Sequence, residues 1–203
     1  AGAGGKTLAL GALMRSSGRI YAFDINAKRL AGFGPRLKRS GLSNVHPAAI
    51  GTENDPKVKR LAGKIDRVLV DAPCSGSGTL RRNPDLKWRF DEAELARVNA
   101  VQGDVLRAAA RLLRPGGRLV YATCSLLAQE NQQVIETFLR GQEEFHALPA
   151  AEVLAAQGVD IDHAARFAPY FVMLPHLHGT DGFFAAVIER RRADPRPPME
   201  AAA

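Results

Sequence analysis

Apolar positions along the chain recur at two spacings in turn. Leu10, Leu13 and Met14 stand at helical spacing and predict a helix over Thr7–Arg15. Arg19–Phe23 predicts a short strand ending at Asp24. Leu30, Phe33 and Leu37 mark one face of a helix from Ala27 to Ser40, with Gly41 as its stop. Val45–Ile50 predicts a weaker strand, which Pro47 confines to an edge. The apolar run Ile65–Val70 predicts a buried strand ending at Asp71, followed by the loop DAPCSGSGTLRRNPD. Leu95, Val98, Val105, Ala109 and Leu112 line a long helix from Asp91 to Leu113, ended by Pro115-Gly116-Gly117. Arg118–Ala122 predicts a strand running into Thr123-Cys124-Ser125, and Gln129–Arg140 a helix. Glu143–Ala168 has weak periodicity, enough for one short helix. YFVMLP and FFAAVIER, either side of HLHGTDG, predict a β-hairpin. Residues 191–203 are Pro-rich and charged, and predict a disordered tail.

Alternating strands and helices predict an α/β fold, with a mostly parallel sheet covered on both faces. A closing antiparallel hairpin fits methyltransferase sheets better than all-parallel dinucleotide-binding sheets. Residues 1–190 are expected to form one catalytic domain. The chain opens inside a glycine-rich loop of the kind that follows a buried strand, so a further strand, and a longer protein, are expected ahead of residue 1.

Composition narrows the classes. The 203 residues are 46% hydrophobic, too apolar for a disordered chain, and no apolar run approaches the ~20 residues of a membrane helix. Lys and Arg number 28 against 21 acidic residues, a net +7 that points to a polyanionic partner. The two cysteines, Cys74 and Cys124, stand fifty positions apart, which suits neither a disulfide framework nor a metal cage. Free thiols fit a reducing, cytoplasmic setting. His176 and His178 flank Leu177 without a Cys or carboxylate cluster, so no metal site is expected.

The unusual residues gather at predicted strand ends, where open α/β sheets bind ligands. Ala1-Gly2-Ala3-Gly4-Gly5-Lys6-Thr7 leads into a helix start, whose free N–H groups suit a phosphate, a dinucleotide or a nucleoside with an amino-acid end. Asp24 ends the next strand, where a carboxylate grips ribose hydroxyls or merely caps a turn. Asp71 heads the loop bearing Cys74; alone it also resembles the magnesium-binding aspartate of an ATPase using Gly5-Lys6-Thr7. Thr123-Cys124-Ser125 repeats a thiol at the next strand end, so both thiols are expected to face one cleft. Arg81, Arg82, Lys87, Trp88 and Arg89 suit an RNA backbone and a stacked base, or else a solvated loop anchored by Trp88.

The segments AGAGGKT, YAFDIN, VLVDAPCSGSGTLRRNPDLKW, RPGGRLVYATCS and TDGFFAAVIER, in this order, resemble the RsmB/Nop/Sun family of RNA (cytosine-5) methyltransferases. The resemblance spans the chain up to the tail. It implies a Rossmann-like class I methyltransferase sheet, S-adenosylmethionine as cofactor, and RNA, in particular 16S ribosomal RNA, as substrate. It implies that Ala1–Lys6 (Ala1, Gly2, Ala3, Gly4, Gly5 and Lys6) cradle the methionine end and Asp24 the ribose. Asp71 would lie at the cofactor's amino group and near the target base. Thr52 stands where many members carry an adenine-contacting aspartate. The resemblance further implies Cys124 as the nucleophile and Cys74 as the residue assisting product release; DNA cytosine-5 enzymes, where the attacking cysteine follows a proline, would point to Cys74. A catalytically silent RNA-binding module is the remaining alternative.

Overall fold

Residues 1–88, 91–162 and 164–192 are described in a computed structural model. Arg89 and the predicted tail from residue 193 lie outside the described residues. The chain divides into two units, Ala1–Arg60 and the described residues from Leu61 onward.

The first unit runs α1 (Gly5–Leu13), β1 (Ile20–Asp24), α2 (Ala27–Ser40), β2 (Val45–Ala49) and α3 (Pro56–Lys59). Helix α2 keeps its predicted bounds because both ends are encoded locally. The Asn26 side chain accepts from Arg29 N–H at 3.0 Å, and Gly41 at φ 69° closes the last turn. Strands β1 and β2 pair in parallel from Ile20↔Val45 to Asp24↔Ala49. Strand β2 has no other partner among the described strands, as Pro47 requires. Phe33 is fully buried against Ala22 and Val45; burying such a ring contributes roughly 2–3 kcal/mol.

The second unit contains β3 (Ile65–Asp71), α4 (Glu92–Ala110), β4 (Leu113–Thr123), α5 (Gln132–Arg140), β5 (Phe145–Leu148), α6 (Ala150–Ala155), β6 (Phe171–Met173), α7 (Pro175–His178) and β7 (Phe183–Arg190). Its sheet order is β3-β4-β7-β5, with β6 also on β7. β3 and β4 are parallel, and β7 is antiparallel to β4, β5 and β6. One strand therefore runs against the rest, as the closing hairpin predicts. Leu106, Leu113, Leu119, Tyr121, Ile135, Phe184 and Ile188 fill its core.

Several elements differ from the sequence pattern. Helix α4 stops at Ala110, three residues early, and Leu113 instead opens β4 opposite Ile65. Arg114-Pro115-Gly116-Gly117 then forms a bulge within the strand, shifting the register before Arg118↔Arg67. Its turn chemistry looks like a helix stop, but buried Leu112 and Leu113 draw the backbone into the sheet. Strand β5 was hidden in a weakly periodic stretch, and its pairing with β7 defines it. Helix α1 starts at Gly5, two residues early, and ends at Leu13. Arg191, the first residue of the predicted tail, donates its N–H to Glu144 O at 2.8 Å.

Candidate active site

In the first unit the glycine loop folds back onto Asp24. Gly2 N–H donates to one carboxylate oxygen at 2.6 Å and Asn26 N–H to the other at 2.7 Å, while the Ala1 nitrogen lies 3.1 Å away. Burial pushes the Asp24 carboxyl up, but these donors outweigh it and hold the group below its ordinary value. A carboxylate fixed in this way keeps lone pairs for hydroxyl donors. Helix α1 begins without a side-chain cap. Among the described residues, nothing beyond the adjoining residues and the helix's own backbone lies within 4 Å of where a β-carbon would sit at Gly2 or Gly5. The loop is thus open beside a helix N-terminus, which suits a cofactor with a nucleoside and an amino-acid end. Lys6 is exposed in the first turn. Thr52 is exposed too, and its hydroxyl accepts Asn54 N–H at 3.2 Å within a turn that Asp55 closes by accepting Gly51 N–H at 3.0 Å.

Gly4 makes the loop possible. Its φ is +85°, and a β-carbon there would sit 2.0 Å from the Phe33 ring. Gly4→Ala is expected to destabilise this unit by about 3 kcal/mol through positive-φ strain and overpacking. It should also abolish cofactor binding. Thermal unfolding together with cofactor titration checks this, and a wild-type melting curve would refute it.

In the second unit Asp71, exposed, ends β3 opposite Ala122 of β4. Cys74 follows three residues later, and Cys124 directly follows β4. The two sulfurs are 3.4 Å apart. Cys124 beside it, and then burial, push the Cys74 thiol well above its usual range. Two thiols this close oppose each other's ionisation, and either sulfur can donate its S–H to the other. A cleft of about 550 Å³ adjoins Cys74, with Ser77, Leu80, Leu86, Lys87 and Leu127 among its walls.

The thiol loops are stapled by backbone. Gly78 N–H donates to Cys124 O at 2.9 Å, and Gly182 N–H to Gly78 O at 2.8 Å. Beneath them lies a polar network that sequence patterning did not single out. Glu130, fully buried, accepts from Ser75 and Ser125, and Gln102 joins from α4. Its sequence signal is the Cys-Ser pair repeated at 74–75 and 124–125, with Glu130-Asn131 following.

The basic loop is held by the turn before β7. Arg82 pairs with Asp181, and Arg81 Nη1 donates to Gly179 O at 2.7 Å. Both arginines remain more than half exposed. Trp88 is 79% exposed, with the Lys87 ammonium 4.7 Å from its ring centre. That exposure argues against Trp88 being a packed anchor. The His178 ring nitrogens bond Leu174 N–H at 2.9 Å and meet Asp162 O at 3.2 Å, so this ring braces the turn. Among the described residues no cluster of three His, Cys, Asp or Glu could hold a metal, and no helix is long and apolar enough to cross a membrane.

A family model described as 16S rRNA methyltransferase RsmB/F matches residues 1–189. A Synechocystis protein named probable ribosomal RNA small subunit methyltransferase B is 39% identical over 92% of the chain. The chain spans 41% of that relative's length. The human 28S rRNA (cytosine(4447)-C(5))-methyltransferase is 34% identical over 92% of the chain, which spans 24% of it. Among solved structures, NSun6 from Pyrococcus horikoshii with SFG superposes at a TM-score of 0.78 and 29% identity, covering 96% of this chain and 47% of that one.

Proposed function

The chain belongs to the 16S rRNA methyltransferase RsmB/F family, and we propose that it forms the catalytic part of an enzyme methylating carbon 5 of a cytosine in 16S ribosomal RNA. The observation that carries this reading is the Cys74–Cys124 pair at 3.4 Å, at the carboxyl ends of two parallel strands. S-adenosylmethionine, when bound, supplies the electrophilic methyl group. Ala1–Lys6 hold its methionine end, Asp24 its ribose hydroxyls and Thr52 the adenine side; residues 1–190 supply this machinery.

Carbon 5 of cytosine is a poor nucleophile. The Cys124 thiolate adds to carbon 6, so that the electrons of the 5,6 double bond make carbon 5 enamine-like, and Asp71 supplies a proton at nitrogen 3. Once carbon 5 carries the methyl group it gives up its proton to a base. The carbon 6–sulfur bond then breaks, the double bond re-forms, and nitrogen 3 returns its proton. Cys74 S–H, directed at the departing sulfur, stabilises the thiolate and so assists release. The target base must leave its stack to be reached. Arg81, Arg82 and Lys87 contact the RNA backbone, and Trp88 offers a stacking face. Action on ribosomal RNA through two free thiols fits a cytoplasmic enzyme.

The test is methyl transfer by the full-length protein from labelled S-adenosylmethionine to unmodified 16S rRNA, with 23S rRNA alongside. Digestion to nucleosides is expected to give 5-methylcytidine from 16S rRNA. Label on another position of the base, or on neither RNA, would overturn the reading.

A further inference from the structure

We infer that Glu130 is the positioning residue of the thiol pair: one buried carboxylate joins the two Cys-Ser turns and sets the spacing of their sulfurs. Its consequence for catalysis rests on the function proposed above; its geometry does not.

Each cysteine is fixed from both sides. Pro73, before Cys74, offers its carbonyl to Gln102 Nε2 at 2.7 Å, and Ser75, after it, donates its N–H to Glu130 Oε1 at 2.7 Å and its hydroxyl to Oε2 at 2.5 Å. Thr123, before Cys124, donates to Asn131 Oδ1 at 2.6 Å, and Ser125 O, after it, accepts Asn131 Nδ2 at 2.9 Å. The Ser125 hydroxyl donates to Glu130 Oε2. Glu130 therefore bonds to both Cys-Ser turns, below the links that Gly78 N–H makes to Cys124 O and the Ser77 hydroxyl oxygen makes to Leu126 N–H. The serine oxygens meet at 3.4 Å, the same separation as the sulfurs.

The carboxylate is itself anchored. Gln102 Nε2 donates to Oε1 at 3.2 Å, and the Tyr121 hydroxyl donates to the Glu130 carbonyl at 2.7 Å from within the core. The Gln102 amide has one workable orientation, because its nitrogen faces two acceptors. Both carboxylate oxygens are thus spent on protein donors, which suits holding structure in place. Residues of this kind act by fixing the rotamers of the reacting groups.

Glu130→Ala would leave the Ser75 N–H and both hydroxyls without their shared acceptor and free the turns to separate. In Glu130→Gln the amide oxygen accepts Ser75 N–H and Gln102, while its NH2 donates to serine hydroxyls that rotate to accept. Position is then largely kept although the charge is gone. In the full-length protein, Glu130→Ala is expected to lower kcat about 100-fold with both KM values within about twofold, as for a displaced reacting group. Glu130→Gln should recover kcat to within about tenfold of wild type.

The second readout needs no RNA. Phenylarsine oxide binds tightly only where two thiols can bridge one arsenic. Its affinity should fall at least about tenfold in Glu130→Ala and recover in Glu130→Gln, while total alkylatable thiol stays constant. Wild-type kcat and arsenical affinity in Glu130→Ala would overturn the inference, as would Glu130→Gln being as impaired as Glu130→Ala. Should Glu130→Ala fail to fold, Ser125→Ala removes one link of the bridge, and unchanged arsenical affinity there would overturn it equally. A wild type that binds the arsenical through both thiols, loses that binding in Glu130→Ala and yet methylates no RNA would leave the positioning role standing and remove the methyltransferase reading.

Discussion

Cys124→Ala is expected to lower cytosine methylation by on the order of 10⁴-fold or more, because removing a covalent nucleophile removes the reaction path itself. Cys74→Ala is expected to behave differently: its Cys124 should add to carbon 6 and carbon 5 of the cytosine should take the methyl, but the carbon 6–sulfur bond should then persist, leaving a protein–RNA adduct that survives a denaturing gel. The asymmetry follows from the coupled thiols. At 3.4 Å ionisation of one thiol opposes that of the other, and the Cys74 thiol is pushed up by Cys124 and by burial. In the proposed mechanism Cys124 is the attacking thiol, at the end of β4 with its carbonyl tied to Gly78 N–H. Losing Cys74 removes a donor to the departing sulfur and leaves the attacking atom in place. Incubating each full-length variant with unmodified rRNA and S-adenosylmethionine separates the roles. An adduct with Cys124→Ala and none with Cys74→Ala would reverse the assignment.

Much of this site was legible because its signals are local. Asn26 and Gly41 bound α2 from within four residues of its ends, and apolar β3 ends at Asp71 where the thiol loop begins. The two cysteines could be placed at neighbouring strand ends from strand-helix alternation alone. The glycine loop was less decisive, since Gly5-Lys6-Thr7 also suits a phosphate; the family match, with two thiols that an ATPase leaves without a role, weighs against that reading. What was not legible depends on long-range contacts. Nothing near Glu130 in sequence shows that Ser75, fifty-five residues away, bonds to it. Arg82 reads as a free cation until the fold brings Asp181 to it. Phe145–Leu148 is a strand because β7 pairs with it, not because its own residues demand one. The bulge in β4 misled for the converse reason: its Pro-Gly-Gly carries a helix-stop signal, while Leu113, fully buried, belongs to the sheet.

Gly78→Ala is expected to lower the unfolding free energy by about 3 kcal/mol and to abolish adduct formation. The obstacle is space, and the space is bounded by main chain. A β-carbon at Gly78 would lie 2.4 Å from Gly182 O and 2.8 Å from Cys124 O. Neither can rotate away as a side chain could. Relief requires the thiol loop and the turn before β7 to part, which breaks Gly78 N–H to Cys124 O and Gly182 N–H to Gly78 O. The Arg82–Asp181 pair is part of the same junction, so the basic loop would loosen with it. Gly103→Ala is the control: its β-carbon would meet the end of the exposed Arg107 side chain at 3.3 Å, which can move aside. Within α4 that change is expected to gain up to about 1 kcal/mol from helix propensity. Denaturant unfolding of both full-length variants, with adduct yield measured in the Cys74→Ala background, separates a junction that must close from a glycine that is merely tolerated. Wild-type stability and adduct yield in Gly78→Ala would mean that the two loops need not touch for the thiols to meet the base.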